Sequence, residues 1–401
     1  MPMISAKVCR AESHDDIKPL VELCKAGKLF DVQRWIEAGK PVNPPVVPPA
    51  RQRAMHPLGV ALDHGFHSLV EVLLRGGAIP QSDEWGCPMN RALQMRRLDM
   101  IQLLVEFGYD ASTVDMEEVF ATWDPVIMEY FIERGVDVER GNPLAYALCS
   151  RIRTALGVFR RYKDRFASFQ EQANIALRHH CKDGNMKWVS LLLWAGADPY
   201  APGTDNYWDQ HDAPEDDGIS ALGYAALWGH FEVFRLKKIR LAPEHPVAHE
   251  VMRRIYDEEG FDLLQGLLKK GMNPNDEANG GCSVIQRLLR SIGFDVFRHQ
   301  RYPWEKEKGI DSERSRGNIK LIHLLAKHGA QWVPKNTCEI NDARRSLLKL
   351  TPDYTVEFVW IMAKYQSCER AVIEQLLRTP TIKRHTSNHR SRLNELVATW
   401  E

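Results

Sequence analysis

Residues 184–199 read GNMKWVSLLLWAGADP and place two glycines, Gly184 and Gly196, twelve positions apart. From Val189 onward, apolar residues recur three and four positions apart, which favours a helix with one buried face. A glycine directly after a helix can adopt the left-handed conformation that ends it. The stretch therefore predicts a helix of fixed length that is bounded by a glycine turn at each end.

The end of this stretch, two apolar residues followed by two variable positions and a glycine, occurs seven times in the chain. The closing glycines are Gly39, Gly77, Gly108, Gly135, Gly196, Gly271 and Gly329. An earlier glycine stands twelve positions before the closing one at Gly27, Gly65, Gly184 and Gly317, and Gly229 precedes Leu241 by the same interval. Upstream, several units open with His56-Pro57, Cys87-Pro88, Asn142-Pro143 or Ser220-Ala221. A capping side chain followed by proline at the first helical position favours a helix start. The repeating unit is therefore a short helix, a glycine turn, a longer helix and a glycine stop.

This unit resembles the ankyrin repeat, whose signature is Thr-Pro-Leu-His-x-Ala, a central Gly-His and Leu-Leu-x-x-Gly-Ala-Asp. The clearest stretches are residues 56–78, 184–199 and 220–230, and the resemblance covers about residues 15–335. It implies an all-α solenoid of stacked helix-turn-helix units with hairpin loops. No copy keeps the signature histidine, and Pro125 is expected to interrupt the third glycine-to-glycine interval. The repeats at 116–135, 142–162 and 248–271 are therefore expected to be degenerate.

The length of 401 residues exceeds what one compact core usually accommodates, which also favours an elongated array. We assign residues 1–335 to the ankyrin-repeat array and residues 336–401 to a helical C-terminal cap. In the cap, Cys368, Leu376-Leu377 and Pro380 repeat the spacing of central glycine, double leucine and closing glycine. The cap is therefore expected to be a degenerate terminal repeat.

Composition argues against several classes of function. Lys+Arg and Asp+Glu are both 53, so the formal net charge is zero, and nothing global favours nucleic acid. No apolar stretch reaches the length of a membrane span, and eight cysteines without a Cys-x-x-Cys pair predict reduced thiols in the cytoplasm. His245 and His249 are spaced for a shared metal, but Pro246 between them disfavours a helix there. We expect no metal and no cofactor.

Three insertions break the period, at about 41–50, 200–218 and 292–316, and insertions in a solenoid often mark the binding face. The second combines aromatic residues with six carboxylates, at Asp205, Asp209, Asp212, Glu215, Asp216 and Asp217. Tryptophan and tyrosine anchor protein interfaces, and complementary charge steers encounter. We therefore expect partner-binding residues at Trp85, Tyr207, Trp208, Asp209, Tyr302 and Trp304.

These features predict a protein-binding module or scaffold that is not an enzyme, because the chain has no G-x-S-x-G, Walker or kinase motif. The partner is expected to be a protein, with a basic surface facing the acidic loop at 205–217. The alternative is an enzyme that uses a pocket on the concave face. In that alternative, Asp209, His211 and Asp212 transfer protons.

Overall fold

The structure is a computed structural model, and it describes residues 9–46, 56–82, 86–207, 218–255, 260–275, 283–299, 313–348, 350 and 352–398. These residues fold into helices, short 3-10 segments and turns, with one isolated bridge between Arg10 and Asn43. The predicted all-α fold class is confirmed. No helix among the described residues is both long enough and apolar enough to cross a membrane.

The chain divides into two compact units, and the first comprises residues 1–179, 191–198 and 203–217. Its helices form successive pairs, and from α3 onward the first helix of each pair is shorter than the second. They are α1 (His14–Lys25), α2 (Leu29–Glu37), α3 (Pro57–Asp63), α4 (His67–Arg75), α5 (Pro88–Gln94), α6 (Leu98–Glu106), α7 (Met116–Ala121), α8 (Pro125–Glu133), α9 (Pro143–Cys149) and α10 (Thr154–Tyr162). The first helices α1, α3, α5, α7 and α9 pack side by side in chain order, and α2, α4 and α6 do the same. Each pair thus buries its apolar face against its neighbours, as in repeat proteins.

The pair α11 (Ser168–Lys182) and α12 (Met186–Ala195) contributes residues to both units, because the second unit comprises 180–190, 199–202 and 218–401. The remaining helices are α13 (Ala221–Trp228), α14 (Pro246–Arg254), α15 (Phe261–Lys269), α16 (Val284–His299), α17 (Glu313–Lys327), α18 (Thr337–Leu347), α19 (Pro352–Lys364), α20 (Arg370–Arg378), α21 (Pro380–His385) and α22 (Arg390–Ala398). In this unit α16 packs on α18 and α17 on α19. The described residues after 336 form helices and the turns between them, and their interpretation as a degenerate repeat stays a prediction.

The predicted turn positions are confirmed for all seven closing glycines, whose φ angles lie between 70° and 111°. The earlier glycines Gly27, Gly65, Gly184 and Gly229 also have positive φ angles. The predicted helix starts hold as well. His56 Nδ1, for example, accepts hydrogen bonds from the backbone N–H of Leu58, and Pro57 is at the first helical position.

Two sequence-based expectations about these turns are wrong. Pro125 does not interrupt its repeat, because it occupies the first position of α8, where a missing N–H is tolerated. Gly317 does not form a turn, because it lies inside α17. The helices on either side of the third predicted insertion are also longer than expected, since α16 continues to His299 and α17 begins at Glu313.

Three consecutive repeats of the first unit form the turn between their helices without glycine. Arg96, Trp123 and Arg151 hold this position with φ angles of 53°, 62° and 65°. Each donates its backbone N–H to a carbonyl at the end of the preceding helix, as Gly65 does in its own repeat. Two of the repeats that were expected to be degenerate, at 116–135 and 142–162, therefore keep the helix-pair geometry.

One repeat of the second unit has lost its second helix. After α13 and the turn at Gly229, residues Phe231–Arg235 form only a 3-10 segment. This is the copy in which Leu241 replaces the closing glycine.

Amide side chains connect neighbouring repeats at their closing turns. Asn43 Nδ2 donates to the Gly77 carbonyl at 2.8 Å, and Gln81 Nε2 donates to that of Gly108 at 2.7 Å. In the second unit, Asn275 Nδ2 donates to Gly329 at 2.9 Å. Each donor follows its own closing glycine by four positions. Asn43 lies near the start of the first predicted insertion, at 41–50, and is fully buried. This insertion is therefore bonded to the next repeat where it begins.

Candidate functional site

Of the six predicted partner-binding residues, the structure describes one, Tyr207. The other five lie outside the described residues: Trp85, Trp208, Asp209, Tyr302 and Trp304. The groups of the enzyme alternative, Asp209, His211 and Asp212, also lie outside them. The candidate site is therefore built from the residues that lead into the second insertion, 203–207, and from the helices that these residues contact.

Arg178 of α11 fixes the start of this insertion. Its side chain is 0% exposed, and its Nε donates to the Thr204 carbonyl at 2.6 Å. Its Nη2 forms an ion pair with Glu171, which lies earlier on the same helix and whose side chain is 52% exposed. A buried guanidinium needs such partners, because an unpaired charge away from water is strongly destabilising. The buried arginine thus fastens the insertion to the helix.

Gly203 allows the backbone to approach this guanidinium. Its φ angle is 154°, a conformation that residues with a side chain rarely adopt. A Cβ at this position would lie 2.6 Å from Arg178 Nη2, so a larger residue cannot be accommodated without movement. Beyond it, the Asn206 N–H donates to Thr204 Oγ1 at 3.0 Å and closes a small turn.

Tyr207 then lies against aromatic residues of two first helices. Its ring centroid is 5.7 Å from that of His179 in α11, with an interplanar angle of 85°. It is 6.2 Å from the ring of Tyr146 in α9, at 62°. Edge-to-face contacts of this kind stabilise aromatic pairs beyond their buried area. All three rings remain partly exposed. The insertion therefore crosses the face formed by the first helices α9 and α11.

The helix that presents Tyr146 is itself capped by α11. Asn142 precedes α9 in a left-handed conformation and makes no side-chain cap. Instead, the buried Gln172 accepts the Leu144 N–H at 2.8 Å through Oε1 and donates to the Val138 carbonyl at 3.1 Å through Nε2. Both helices under Tyr207 are thus held in fixed positions by buried polar bonds.

The side chains of the neighbouring His179-His180-Cys181 run do not converge on one point. His179 contacts Tyr207, whereas His180 is fully buried and stacks on Trp188 at 5.5 Å between ring centroids. Burial raises the pKa of the Cys181 thiol to about 12, so it is protonated at neutral pH. In the part of the chain that the structure describes, no three His, Cys, Asp or Glu side chains are grouped to hold a metal ion.

Sequence reasoning missed the residues that hold the insertion in place, Arg178, Glu171 and Gly203. One signal was present, since Arg178 lies three positions from both Ile175 and Cys181, which are buried on α11. A charged residue in phase with buried apolar positions indicates a bonded partner. The partner, a backbone carbonyl 26 positions away along the chain, has no signature in the sequence.

The described contacts of the site are aromatic stacking, one buried ion pair and bonds to the backbone. These interactions position a surface segment, and they supply no nucleophile with an adjacent base.

Comparison with known proteins agrees with this repeat geometry. No protein-family model matches the chain. "Ankyrin repeat protein nuc-2" of Neurospora crassa is 24% identical over 251 residues, which are 61% of this chain and 17% of that protein. The chain therefore covers only a small part of this relative.

Two solved ankyrin-repeat domains are similar at lower identity. The human ASB11 ankyrin repeat domain is 18% identical, covers 59% of this chain and 97% of its own length, and gives a TM-score of 0.37. The ankyrin repeat domain of Bcl-3 is 16% identical, covers 67% and 92%, and gives a TM-score of 0.30. The chain is therefore an all-α array of repeated helix pairs with left-handed closing turns, and over 251 residues it is similar to an ankyrin-repeat protein.

Proposed function

We propose that the chain is a protein-binding module and that the insertion beginning at Gly203 contacts the partner. The observation that carries this proposal is the attachment of residues 203–207 to α11 through Arg178. A segment whose base is held by a buried charge loses less conformational entropy when it binds, so more of the contact energy appears as affinity. A loop that only connects two repeats does not require an attachment of this kind.

The chemistry of the insertion indicates the type of partner. Tyr207 and Trp208 supply aromatic anchors, and six carboxylates lie within residues 205–217. A basic protein surface complements this charge and is attracted at long range, which raises the association rate at low salt. Trp85, Tyr302 and Trp304 are proposed as further contacts, because they are aromatic residues in or next to the other loops of the array.

The test compares proteins captured from cells of the source organism by the parent chain and by matched variants. The binding variant is Tyr207→Ala with Trp208→Ala, and the control is Trp228→Ala, an exposed tryptophan of α13 outside the insertion. We expect the double variant to lose at least one partner that the control retains. Truncating a central aromatic anchor typically weakens binding by about 2 kcal/mol or more.

Charge is tested separately by replacing the six carboxylates with their amides. The expected result is slower association with the captured partner at low salt, and little change at high salt, because salt screens exposed charges. If the double aromatic variant and the amide variant both recover every partner at the parent's level, the insertion is not the contact surface.

A further inference from the structure

The turns of three successive repeats carry exposed side chains at a position where glycine is preferred. Arg96, Trp123 and Arg151 hold the left-handed turn after α5, α7 and α9, whereas the turns after α1 and α3 use Gly27 and Gly65. A bulky side chain is a rare outlier in this conformation, because Cβ crowds the following carbonyl. Each of these turns therefore gives up stability that glycine provides elsewhere in the same chain.

The two arginines make no ion pair with the described residues that compensates for this loss, and the indole of Trp123 leaves about half of its surface in solvent. Trp123 is 49% exposed, and Arg96 and Arg151 are exposed. Within the described part of the chain, no carboxylate lies within ion-pair distance of Arg96, Arg151 or Arg153. Strained conformations that persist without a structural benefit tend to mark functional positions.

Arg97, the next residue along, shows what a structural arginine at this edge looks like. It pairs with Asp99 at 2.6 Å, and its Nη1 lies 3.5 Å from the Gly65 carbonyl of the preceding turn. The contrast between neighbours is direct: Arg97 is used in packing between repeats, and Arg96 extends into solvent.

The three turns form one continuous row. Because α5, α7 and α9 pack side by side, the turns at their ends are neighbours. Thr154 Oγ1 donates to the Trp123 carbonyl at 3.0 Å and ties the turn region after α9 to the turn after α7. Two further exposed residues belong to the row, Met95 at 43% and Arg153. We call these five residues, Met95, Arg96, Trp123, Arg151 and Arg153, the turn row.

We propose that the turn row is a second binding surface and that it takes an acidic protein segment with aromatic or large aliphatic side chains. Charge complementarity supports this occupant, since three arginines that form no ion pair with the described residues share the row with an exposed indole. Trp, Arg and Met are also the residue types most enriched in protein interfaces. A nucleic acid is disfavoured, because its affinity depends on many cations along the phosphate backbone and the row has three. The turns of the row follow α5, α7 and α9, whereas the closing turns follow the second helices α6, α8 and α10.

The decisive variant replaces Arg96, Trp123 and Arg151 by glycine together. Glycine is the residue this conformation prefers, so the variant is expected to unfold at the same or a higher temperature than the parent. The probe is a synthetic peptide in which aspartate alternates with tryptophan and leucine, and its binding is followed by fluorescence anisotropy at low salt. We expect the parent to bind and the triple variant to bind at least about tenfold more weakly, from the loss of two charge contacts and one aromatic anchor. A control peptide with asparagine in place of aspartate is expected to bind the parent weakly.

Two control variants show whether the effect belongs to the turn row. Gln366→Gly makes the same exchange at another left-handed turn, after α19, and is expected to leave peptide binding unchanged. The variant Tyr207→Ala with Trp208→Ala is expected to bind the peptide as the parent does, so the turn row and the insertion succeed or fail independently.

The proposal is overturned if the parent does not bind the acidic peptide, or if the triple glycine variant binds it as tightly as the parent. It is also overturned if a single-stranded oligouridylate, or vesicles that contain phosphatidylserine, bind the turn row more tightly than the peptide. In those cases the row recognises phosphate-bearing surfaces and not protein.

Discussion

Replacing Arg178 by methionine tests whether the insertion is held by this one buried side chain. Methionine keeps the apolar stem but removes the charge and all donors, so the Thr204 carbonyl and the Glu171 carboxylate each lose their bond to Arg178. The substitution therefore acts on the attachment of the insertion to α11.

The expected magnitude differs between the loop and the whole protein. A hydrogen bond from a charged donor contributes about 1.5–3 kcal/mol, and this amount should disappear from the opening of residues 203–207. Loss of the ion pair with Glu171 adds little to this free energy, because the carboxylate is half exposed and screened by solvent. The global free energy of unfolding should change by less than about 1 kcal/mol, because removing a buried charge also removes its desolvation cost.

Native-state hydrogen exchange measures both quantities. The Asn206 amide, which is bonded to Thr204 Oγ1, should lose protection by roughly tenfold to a hundredfold, since the lost hydrogen bond contributes about 1.5–3 kcal/mol. Buried amides of α9 should keep theirs. Glu171→Gln makes the opposite change, because it leaves the buried guanidinium without its counter-ion, and it is expected to lower the global free energy of unfolding more than Arg178→Met does. The reasoning fails if Asn206 exchanges at the parent's rate, or if all amides lose protection equally.

Two further predictions concern titrating groups. Burial raises the pKa of three thiols to about 12, so a thiol reagent at neutral pH should modify the exposed Cys9 and Cys338 and leave these three unmodified until unfolding: Cys24, Cys181 and Cys368. Equal labelling rates would contradict the burial. His323 has a lowered pKa because it is partly buried and lies near Lys364 and Lys327, with Glu357 opposing them. The unfolded chain therefore binds the proton more readily, so urea-unfolding stability should fall as pH drops through the unfolded value of about 6.5, and His323→Gln should reduce this fall.

Much of the fold follows from the positions of glycine. A closing glycine marks a backbone conformation that few other residues adopt, so the seven copies located seven real turns. The same logic fails where another residue takes that conformation. At Arg96, Trp123 and Arg151 the turn is imposed by helices packed on both sides, and no local signal announces it. Glycine permits the left-handed conformation but does not impose it, and at Gly317 the helix α17 continues through the residue.

The site was less predictable than the fold. Tyr207 could be singled out because an aromatic residue in a polar insertion is unusual, and it does contact two first helices. The residues that hold Tyr207 in place are Arg178, Gly203 and Gln172, and their roles could not be predicted. They act through backbone carbonyls and amides that come close together only after the repeats have stacked. Sequence spacing encodes contacts within a helix, whereas these contacts link separate elements.

The amide bonds from Asn43 and Gln81 limit how the array can gain or lose a repeat. Each amide lies in one hairpin and bonds to the closing turn of the next repeat. Deleting residues 44–81 removes one amide and one acceptor together, and it brings Asn43 into the place of Gln81, with Gly108 as its new acceptor. Duplications and deletions that are tolerated in such a gene should therefore span one whole repeat period, because a cut of another length separates an amide from its carbonyl.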